Sequence, residues 1–309
     1  MSGLKELRTR IEAIKSTQKI TSAMKMVAAS RLRRVQILVD KNLGYSENLR
    51  RSALRVLTEI QNEEKTKNIK YIRPTLIRER QNPQNYTLCV LSSDRGLCGA
   101  YNNNVAKCAA QRIRELLKAG KTVRVQCVGK KAYDILRRTF HNDEAEILRV
   151  EINMHDVTYA KGTTKLADQI LRAFISHKFD VCEFVYADFI STISRNFVCE
   201  QVCPINLNTE CLDEEALKLI NRAGDAFYEY LPNKLTLLEN ILPVLFLDDL
   251  FKIIVNSAAS EHSARMTSMD NATRNAKKMI SELTLKYNSL RQSAITTELI
   301  EIISGAEAI

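Results

Sequence analysis

Both ends of this chain carry a long helical repeat of apolar residues, and the middle does not. At the N-terminus, alternate steps of three and four residues from Leu4 to Ile60 fall mostly on apolar side chains. The same steps run from Ala259 to Thr297 at the C-terminus. A repeat held this long is typical of a helix that packs along another helix. Two such helices pair only if the middle brings the chain ends together, so the sequence predicts a rod on a globular base.

The N-terminal helix is expected over residues 3–60, a length of roughly 87 Å at about 1.5 Å per residue. This exceeds the width of a small domain, so much of the helix must project. Gln18, Thr21 and Lys25 interrupt the apolar seam, as expected where an apolar stripe drifts around a straighter helix. The polar, proline-containing stretch 61–85 is interpreted as a linker or a poorly packed stretch that precedes the base.

The period changes in the predicted base domain, residues 86–210, where β-prone runs alternate with helical stretches. This alternation predicts an open, Rossmann-like α/β sheet with parallel character. Residues 211–309 are expected to form the C-terminal coiled-coil segment, with Pro232 and Pro243 punctuating its start. The predicted strands are 86–92, 123–128, 147–152, 181–190 and 196–202, and the predicted helices of the base are 102–118, 130–139 and 163–177.

A turn between the first strand and the following helix is the one place where a phosphate loop would be expected. Its sequence, SSDRGLCGAYN, spans residues 92–102 and contains Asp94, Arg95, Gly96 and Gly99. The glycine spacing fits neither GxGxxG nor GxxxxGK[ST]. A tight structural turn, with Gly96 supplying backbone freedom, is therefore favoured over a nucleotide site, and nucleotide binding by the base domain stays a minor alternative.

The titratable and nucleophilic residues form no catalytic or metal-binding pattern. The sequence has eight cysteines but no CxxC pair, and none of its four histidines stands at ligand spacing from a cysteine. No cofactor is expected, and the sequence favours a protein without an active site of its own. Four cysteines in apolar runs are interpreted as reduced core thiols in a reducing compartment: Cys89, Cys127, Cys182 and Cys199.

The chain is strongly basic, with a formal net charge of +10. Before residue 36 the first helix has only Glu6 and Glu12 to oppose its basic residues. Such a run of like charges favours a surface that faces acidic groups, because the basic side chains otherwise repel one another without compensation. Nucleic acid is the generic candidate and remains the alternative function, although this stretch lacks aromatic residues and any recognition motif. The run consists of Lys5, Arg8, Arg10, Lys15, Lys19, Lys25, Arg31, Arg33 and Arg34.

Three parts of the chain resemble the gamma subunit family of F-type ATP synthases. The first is LKELRTRIEAIKSTQKITSAMKMVAAS at 4–30, and the second is the 92–102 turn. The third comes in pieces near the C-terminus, among them AASEHSARM at 258–266 and RQSAITTELIEIISGA at 291–306. The resemblance spans essentially the whole chain and is most specific in this terminal motif.

The resemblance implies a fold and a function. The terminal helices would form an asymmetric antiparallel coiled coil inside a hexamer of alpha and beta subunits, with the α/β domain at the base near the epsilon (or mitochondrial delta/epsilon) subunit and the c-ring. Rotation of this shaft would couple proton flow to ATP synthesis at the beta subunits. Nucleic acid is then not an expected partner. The residues that match the family's beta-subunit contacts are Met24, Lys25, Arg31, Arg291, Gln292, Thr296 and Glu298.

The resemblance also implies a foot beside the c-ring, to which Tyr45, Glu47, Tyr228 and Tyr230 are assigned. The longest apolar stretch, 241–255, is interrupted by a proline and charged residues, so membrane association is expected only through partners. No secretory signal is visible. The expected location is the cytoplasmic face of a bacterial inner membrane, and the alternative is the matrix face of the mitochondrial inner membrane.

Overall fold

The computed structural model of the chain describes residues 2–68, 71–78, 80–140, 145–150, 160–207 and 229–307. Two helices dominate it: α1 (Ser2–Lys67) has 66 residues and α5 (Lys234–Glu307) has 74. At about 1.5 Å per residue they measure roughly 99 and 111 Å. Between them lies the base, an α/β domain. None of the described helices combines the length and apolarity that a membrane span requires.

The bounds of both long helices differ from the sequence-based expectation: α1 is longer than predicted, and the C-terminal helix begins at Lys234 rather than near residue 211. Helix α1 continues to Lys67 rather than ending at residue 60, because Glu59 and Glu63 in its last turns bind Lys234 at 2.9 and 2.8 Å. The stretch 61–85 is therefore partly helical, and its Leu76 is buried in the core, contrary to the poorly packed linker predicted. Helix α5 runs through Pro243, which the sequence analysis had placed at a break.

The two helices pair in opposite directions. The hydroxyl oxygens of Thr273 on α5 and Thr21 on α1 lie 2.8 Å apart, and Lys25 Nζ lies 2.6 Å from Asp270 Oδ1. Later residues of α1 thus meet earlier residues of α5, as an antiparallel coiled coil requires. The predicted seam is buried at Ile11, Ala28, Leu32 and Val35 on α1 and at Ala259, Met269 and Ala276 on α5, whereas its last positions on α5, Leu290 and Thr297, are exposed.

The helices differ in how far they reach. Extending the antiparallel register places the start of α1 opposite about Ser293 of α5. Helix α5 continues to Glu307, so its last turns run beyond α1 and have no helix of this chain beside them among the described residues. We call residues 291–307 the tip.

The base is a five-stranded sheet in the order β3-β2-β1-β4-β5. The first four strands are parallel, and β5 pairs antiparallel with β4 as a hairpin. This confirms the predicted open α/β sheet. The strands are β1 (Asn85–Leu91), β2 (Thr122–Val128), β3 (Glu146–Arg149), β4 (Val181–Phe189) and β5 (Arg195–Cys203), and the helices are α2 (Tyr101–Lys118), α3 (Lys130–Thr139) and α4 (Ala160–Ile175).

Alternate residues of the central strands face two apolar cores, as a sheet covered on both sides demands. Leu88 and Val90 of β1 point to a core shared with α2 and α3. Cys89 and Leu91 point to a core that contains α4 and the lower halves of α1 and α5. We call the paired helices α1 and α5 the shaft. Because they supply part of this second core, the shaft and the base are packed together.

The buried cysteines belong to this packing. Cys89 and Cys182 lie with their sulfurs 3.9 Å apart, and burial raises the pKa of the Cys127 thiol to about 12. The core assignment of Cys199 was wrong, because it lies on the edge strand β5 and is exposed. An edge strand has a neighbour on one side only, and no sequence pattern revealed that β5 is the edge.

Candidate functional site

The shaft presents the predicted beta-facing residues of α1 in three different settings. Arg31 is exposed and Met24 is half-buried. Lys25 is bound to Asp270 across the helix pair, so its charge is engaged within the shaft. The remaining seven residues of the basic run are all exposed on α1: Lys5, Arg8, Arg10, Lys15, Lys19, Arg33 and Arg34. Arg8 forms an exposed ion pair with Glu12 at 3.5 Å. Because basic residues far outnumber acidic ones here, this surface is strongly electropositive.

The predicted contacts near the C-terminus all lie on the tip or at its start. Arg291, Gln292, Thr296 and Glu298 are exposed, and the Thr296 hydroxyl donates to the carbonyl of Gln292 at 3.0 Å. The structure leaves these polar groups facing outward on a helix that extends past α1. They are available to a surrounding partner because no described part of this chain covers them.

The tip also has a large apolar surface that the sequence analysis missed. Leu299 is 53% exposed, Ile302 is 68% exposed and Ile303 is 58% exposed. Ile295 and Ile300 extend the patch. Exposed apolar residues this dense usually mark a protein interface. The sequence pattern showed that the segment is helical and partly apolar, but it did not show that α1 stops short of it.

The base contacts α5 through the 92–102 turn and through the tip of the β4–β5 hairpin, residues 190–194. We call these two segments the collar. Tyr101 lies with its hydroxyl 3.1 Å from that of Ser257 on α5, and both side chains are buried. Arg265 of α5 donates to the carbonyls of Arg95 and Gly96 at 3.4 and 3.5 Å. The predicted turn therefore docks the base against α5.

The backbone freedom of this turn resides at other positions than predicted. Positive φ angles occur at Leu97 (65°) and Gly99 (60°), and Gly96 is not among the positive-φ residues. A Cβ at Gly99 would lie 3.9 Å from the Ser268 side chain, which is ordinary contact. The assignment of Gly96 as the required glycine was thus wrong. Asp94 is half-buried and Arg95 is exposed at the rim of the turn.

The hairpin tip completes the collar on the other side of α5. The carbonyl of Thr192 accepts hydrogen bonds from Ser263 at 2.6 Å and Thr267 at 3.3 Å. Asn256 accepts from the amide of Phe189 at 3.1 Å and donates to Asp188 at the end of β4. In doubly wound sheets, nucleotides bind at the carboxyl ends of the strands, next to the switch point. Here α5 covers that edge, so the collar geometry fits a docked helix rather than a bound nucleotide.

Buried charge at the collar is compensated locally. Glu261 of α5 is buried and lies 2.6 Å from Arg265. Burial raises the pKa of Glu261, and Arg265 opposes this rise. The pair supplies fixed polar contacts at the joint. No group of His, Cys, Asp and Glu within the described ranges is arranged to hold a metal ion.

The foot residues differ in their availability. Tyr45 and Glu47 of α1 are exposed, whereas Tyr230 is half-buried and donates a hydrogen bond to Glu59 at 2.6 Å. Tyr228 lies outside the described residues. Next to Tyr45 is a cavity of about 260 Å³, whose lining includes Val244 and Phe251 of α5. Tyr45 and Glu47 are therefore the foot side chains that this structure leaves open to a partner.

Comparison with known proteins gives a consistent result. A family model described as ATP synthase matches residues 3–309. The ATP synthase gamma chain of Rhizobium etli is 40% identical over 309 residues, and that of Sinorhizobium medicae is 36% identical over 311 residues. Each alignment covers 100% of both chains.

Solved structures share the fold. A chain of the Euglena gracilis mitochondrial ATP synthase, from a structure of OSCP, F1 and c-ring in rotational state 3, matches with a TM-score of 0.62 at 17% identity, covering 99% of this chain and 94% of the other. A chain of the Tetrahymena thermophila mitochondrial ATP synthase central stalk and c-ring matches with a TM-score of 0.51 at 20% identity, covering 82% and 99%. The relatives that match along their full length decide the family: this chain belongs to the ATP synthase gamma chains.

Proposed function

We propose that this chain is the rotating central shaft of a proton-translocating ATP synthase. The tip and the upper coiled coil stand inside a ring of alternating alpha and beta subunits, and the foot rests on the c-ring. Proton flow turns the c-ring, the chain turns with it, and its asymmetric surface drives the beta-subunit sites through successive affinities for nucleotide. The chain itself performs no chemistry in this function.

The observation that carries the proposal is the tip. A helix end with exposed Leu299, Ile302 and Ile303 is unfavourable in water unless a partner surrounds it. The polar residues Arg291 and Gln292 offer hydrogen bonds about two turns before this apolar surface. A single helix lined by both kinds of group suits a sleeve in which contacts form and release, because the buried area per contact stays small.

The electropositive side of α1 supports an acidic partner at the level of the upper shaft. Lys15 and Lys19 of the upper shaft are exposed, as are Arg33 and Arg34 nearer the base, and the first two gain most from carboxylates on the ring's inner surface. Since Lys25 is bound to Asp270, Arg31 and Met24 are the stronger candidates for direct beta-subunit contacts among the residues assigned from the family. We place the axial ends of the shaft accordingly, with the tip toward the ring and the foot toward the membrane.

The base joins the shaft to the proton-driven part of the machine. Tyr45 and Glu47 are exposed on the foot and are the c-ring contacts we propose. The base domain is then free to bind an epsilon-type subunit beside the foot. This arrangement makes the chain peripheral to the membrane, on the cytoplasmic face in a bacterium or on the matrix face in a mitochondrion.

Substitutions at the start of the tip test the proposal in the assembled enzyme. Arg291→Ala and Gln292→Ala remove polar groups that are exposed in the isolated chain, so the fold of the chain should be unchanged. We expect the double variant to lower coupled ATP synthesis in membrane vesicles severalfold, whereas Asn103→Ala on the exposed side of α2 leaves it unchanged. Unaltered synthesis in the double variant would remove these residues from the proposed ring contacts.

A further inference from the structure

One polar layer crosses the seam of the coiled coil about midway along its projecting part. Lys25 Nζ lies 2.6 Å from Asp270 Oδ1, and Asp270 Oδ2 lies 2.5 Å from Arg274. One turn further along, the hydroxyl oxygens of Thr273 and Thr21 lie 2.8 Å apart. Each hydroxyl is also within hydrogen-bond distance of a carbonyl of its own helix, Thr273 at 2.7 Å from Met269 and Thr21 at 3.1 Å from Gln18. Thr21 is buried, so its hydroxyl depends on these partners.

The layer separates two apolar parts of the seam. Ala28, Leu32 and Val35 are buried on the side of the base, and Ile11 and Ala276 are buried on the side of the tip. Beyond Ala276 the seam side chains are only half-buried, as at Ile280 and Leu283. Apolar contacts alone specify register weakly, because a slip of one heptad exchanges one apolar residue for another.

A slip of one heptad has a clear cost at this layer. If the upper part of α1 moves one heptad along α5 toward the tip, Lys25 faces Lys277 and Thr21 faces Ile280. The first pair is repulsive, and the second replaces the Thr273 hydroxyl beside Thr21 with an isoleucine, so that Thr21 keeps only its bond to the Gln18 carbonyl. A slip the other way sets Lys25 against Ser263 and Thr21 against Met266, and the ion pair is lost. Of these three registers, only the observed one satisfies both pairs.

We propose that Lys25, Asp270, Thr21 and Thr273 form a register layer, which fixes how the upper part of α1 is set, in height and in rotation, against α5. The base already fixes the lower halves of both helices through the shared core. The upper part of α1 is held only along its seam. Unwinding a few residues between this part and the base, each of which would add roughly 1.8 Å of length, would let it slip by one heptad, about 10.5 Å. The functional importance of the layer rests on the proposed function as a shaft. The layer itself is a property of the isolated chain and can be tested without the other subunits.

The layer acts on function by positioning other residues. It decides which side of α1 carries Met24 and Arg31 outward, and it decides how much of α5 extends beyond α1 as the tip. A shaft whose surface must be the same in every turn needs such a fixed setting. Lys25 and Asp270 are positioning residues in this account, and neither needs to touch a beta subunit.

Two engineered disulfides read the register in the full-length chain. Ile14→Cys with Ile280→Cys reports the observed register, because both side chains are half-buried and the register of Thr21 with Thr273, extended along the seam, places them opposite one another. Ile14→Cys with Tyr287→Cys reports a slip of one heptad. Peptide mass mapping after mild oxidation distinguishes these bonds from any that involve native cysteines. With the layer intact, we expect the first pair to exceed the second in yield by about tenfold or more.

Variants of the layer then decide the proposal. Lys25→Glu with Thr21→Val should lower the ratio of the two yields by about fivefold or more. Lys25→Met removes the ion pair without adding a charge, and it should also lower the ratio of the two yields. It serves as the test if the stronger variant fails to fold. Lys25→Arg keeps the positive charge and should keep the ratio of the unmodified chain. Lys19→Met, at an exposed lysine of the same helix, should also leave the ratio unchanged. A ratio within about twofold of the unmodified chain in Lys25→Met would overturn the proposal, whatever the role of the chain in ATP synthesis.

Discussion

The hydroxyl of Tyr101, at the start of α2, lies 3.1 Å from the hydroxyl of Ser257 on α5. Both side chains are buried at the point where the base meets the shaft. Burial raises the pKa of Tyr101, and the nearby carboxylate of Glu261 raises it further. The phenol is therefore neutral at physiological pH and serves as a hydrogen-bond partner, so that one buried contact ties the first strand-to-helix turn to the long helix.

Removing only this hydroxyl should weaken the joint without emptying the core. We expect Tyr101→Phe to lower the free energy of unfolding by about 1 kcal/mol, because the hydrogen bond is lost and the Ser257 hydroxyl stays buried. Chemical denaturation of the full chain measures this. Tyr45→Phe, at an exposed tyrosine, is the matched control, and an equal effect of both substitutions would contradict the assignment of Tyr101 to the joint.

Gly129 should be among the least replaceable residues of the base. It has a φ of 96°, and a Cβ built there would lie 2.1 Å from the carbonyl oxygen of Ser92. Gly129→Ala is expected to cost about 3 kcal/mol or more, because the backbone is strained and the carbonyl must move. Gly96→Ala places its Cβ in open space and should be nearly neutral. Thermal unfolding of the two variants compares them, and similar melting temperatures would refute the steric argument.

The ion pair between Arg112 and Glu183 should be important for attaching α2 to the sheet. Two hydrogen bonds, at 2.7 and 2.5 Å, join the guanidinium to a carboxylate that is only 5% exposed. Arg112→Met leaves this buried charge without its partner, and we expect a loss of about 2 kcal/mol, less than for a fully buried pair because Arg112 is partly exposed.

A double-variant cycle checks the Arg112 prediction. Combining Arg112→Met with Glu183→Gln should cost clearly less than the two single changes added together, because no unpaired charge remains. Lys107→Met, at an exposed position of the same helix, should change the free energy of unfolding little. Strictly additive losses in the cycle would show that the two side chains do not stabilise one another.

The junction of α1 with α5 should make stability depend on pH. Hydrogen bonding to Lys234 lowers the pKa of Glu63 from its ordinary value of 4.5. A carboxyl group whose pKa is lower in the folded than in the unfolded chain adds stability above the unfolded pKa and loses it as the pH falls through the folded pKa. The advantage of the unmodified chain over Lys234→Met should thus be largest above pH 4.5 and shrink below it. Urea denaturation across this range measures the difference, and a constant or growing advantage at low pH would be inconsistent with the pairing.

The sequence was most informative where one local pattern determines the structure. The 3-4 repeats predicted both long helices, and the β-prone runs predicted the strands, since burial on one face imposes each period. The end of α1 was set too early, because its last turns depend on Lys234, which lies far along the chain. Local pattern does not contain that information.

The candidate site was harder to predict for the same reason. Lys25 stands in a basic run that is otherwise exposed, and only the three-dimensional register brings Asp270 beside it. The apolar surface of the tip follows from the unequal reach of two helices, and neither helix shows this in its own sequence. The sequence does not distinguish Gly96 from Gly99, and only the folded turn shows that the positive φ, 60°, is at Gly99.

The central claim is that the chain turns inside the ring, and single-molecule rotation tests it most directly. Alpha and beta subunits assembled with this chain are fixed to a surface, and a bead is attached to the exposed side of α2 on the base. With ATP, we expect the bead to rotate in one direction, and the Arg291→Ala, Gln292→Ala chain to rotate with reduced torque. An assembly that contains the chain and hydrolyses ATP while the bead stays still would contradict the account.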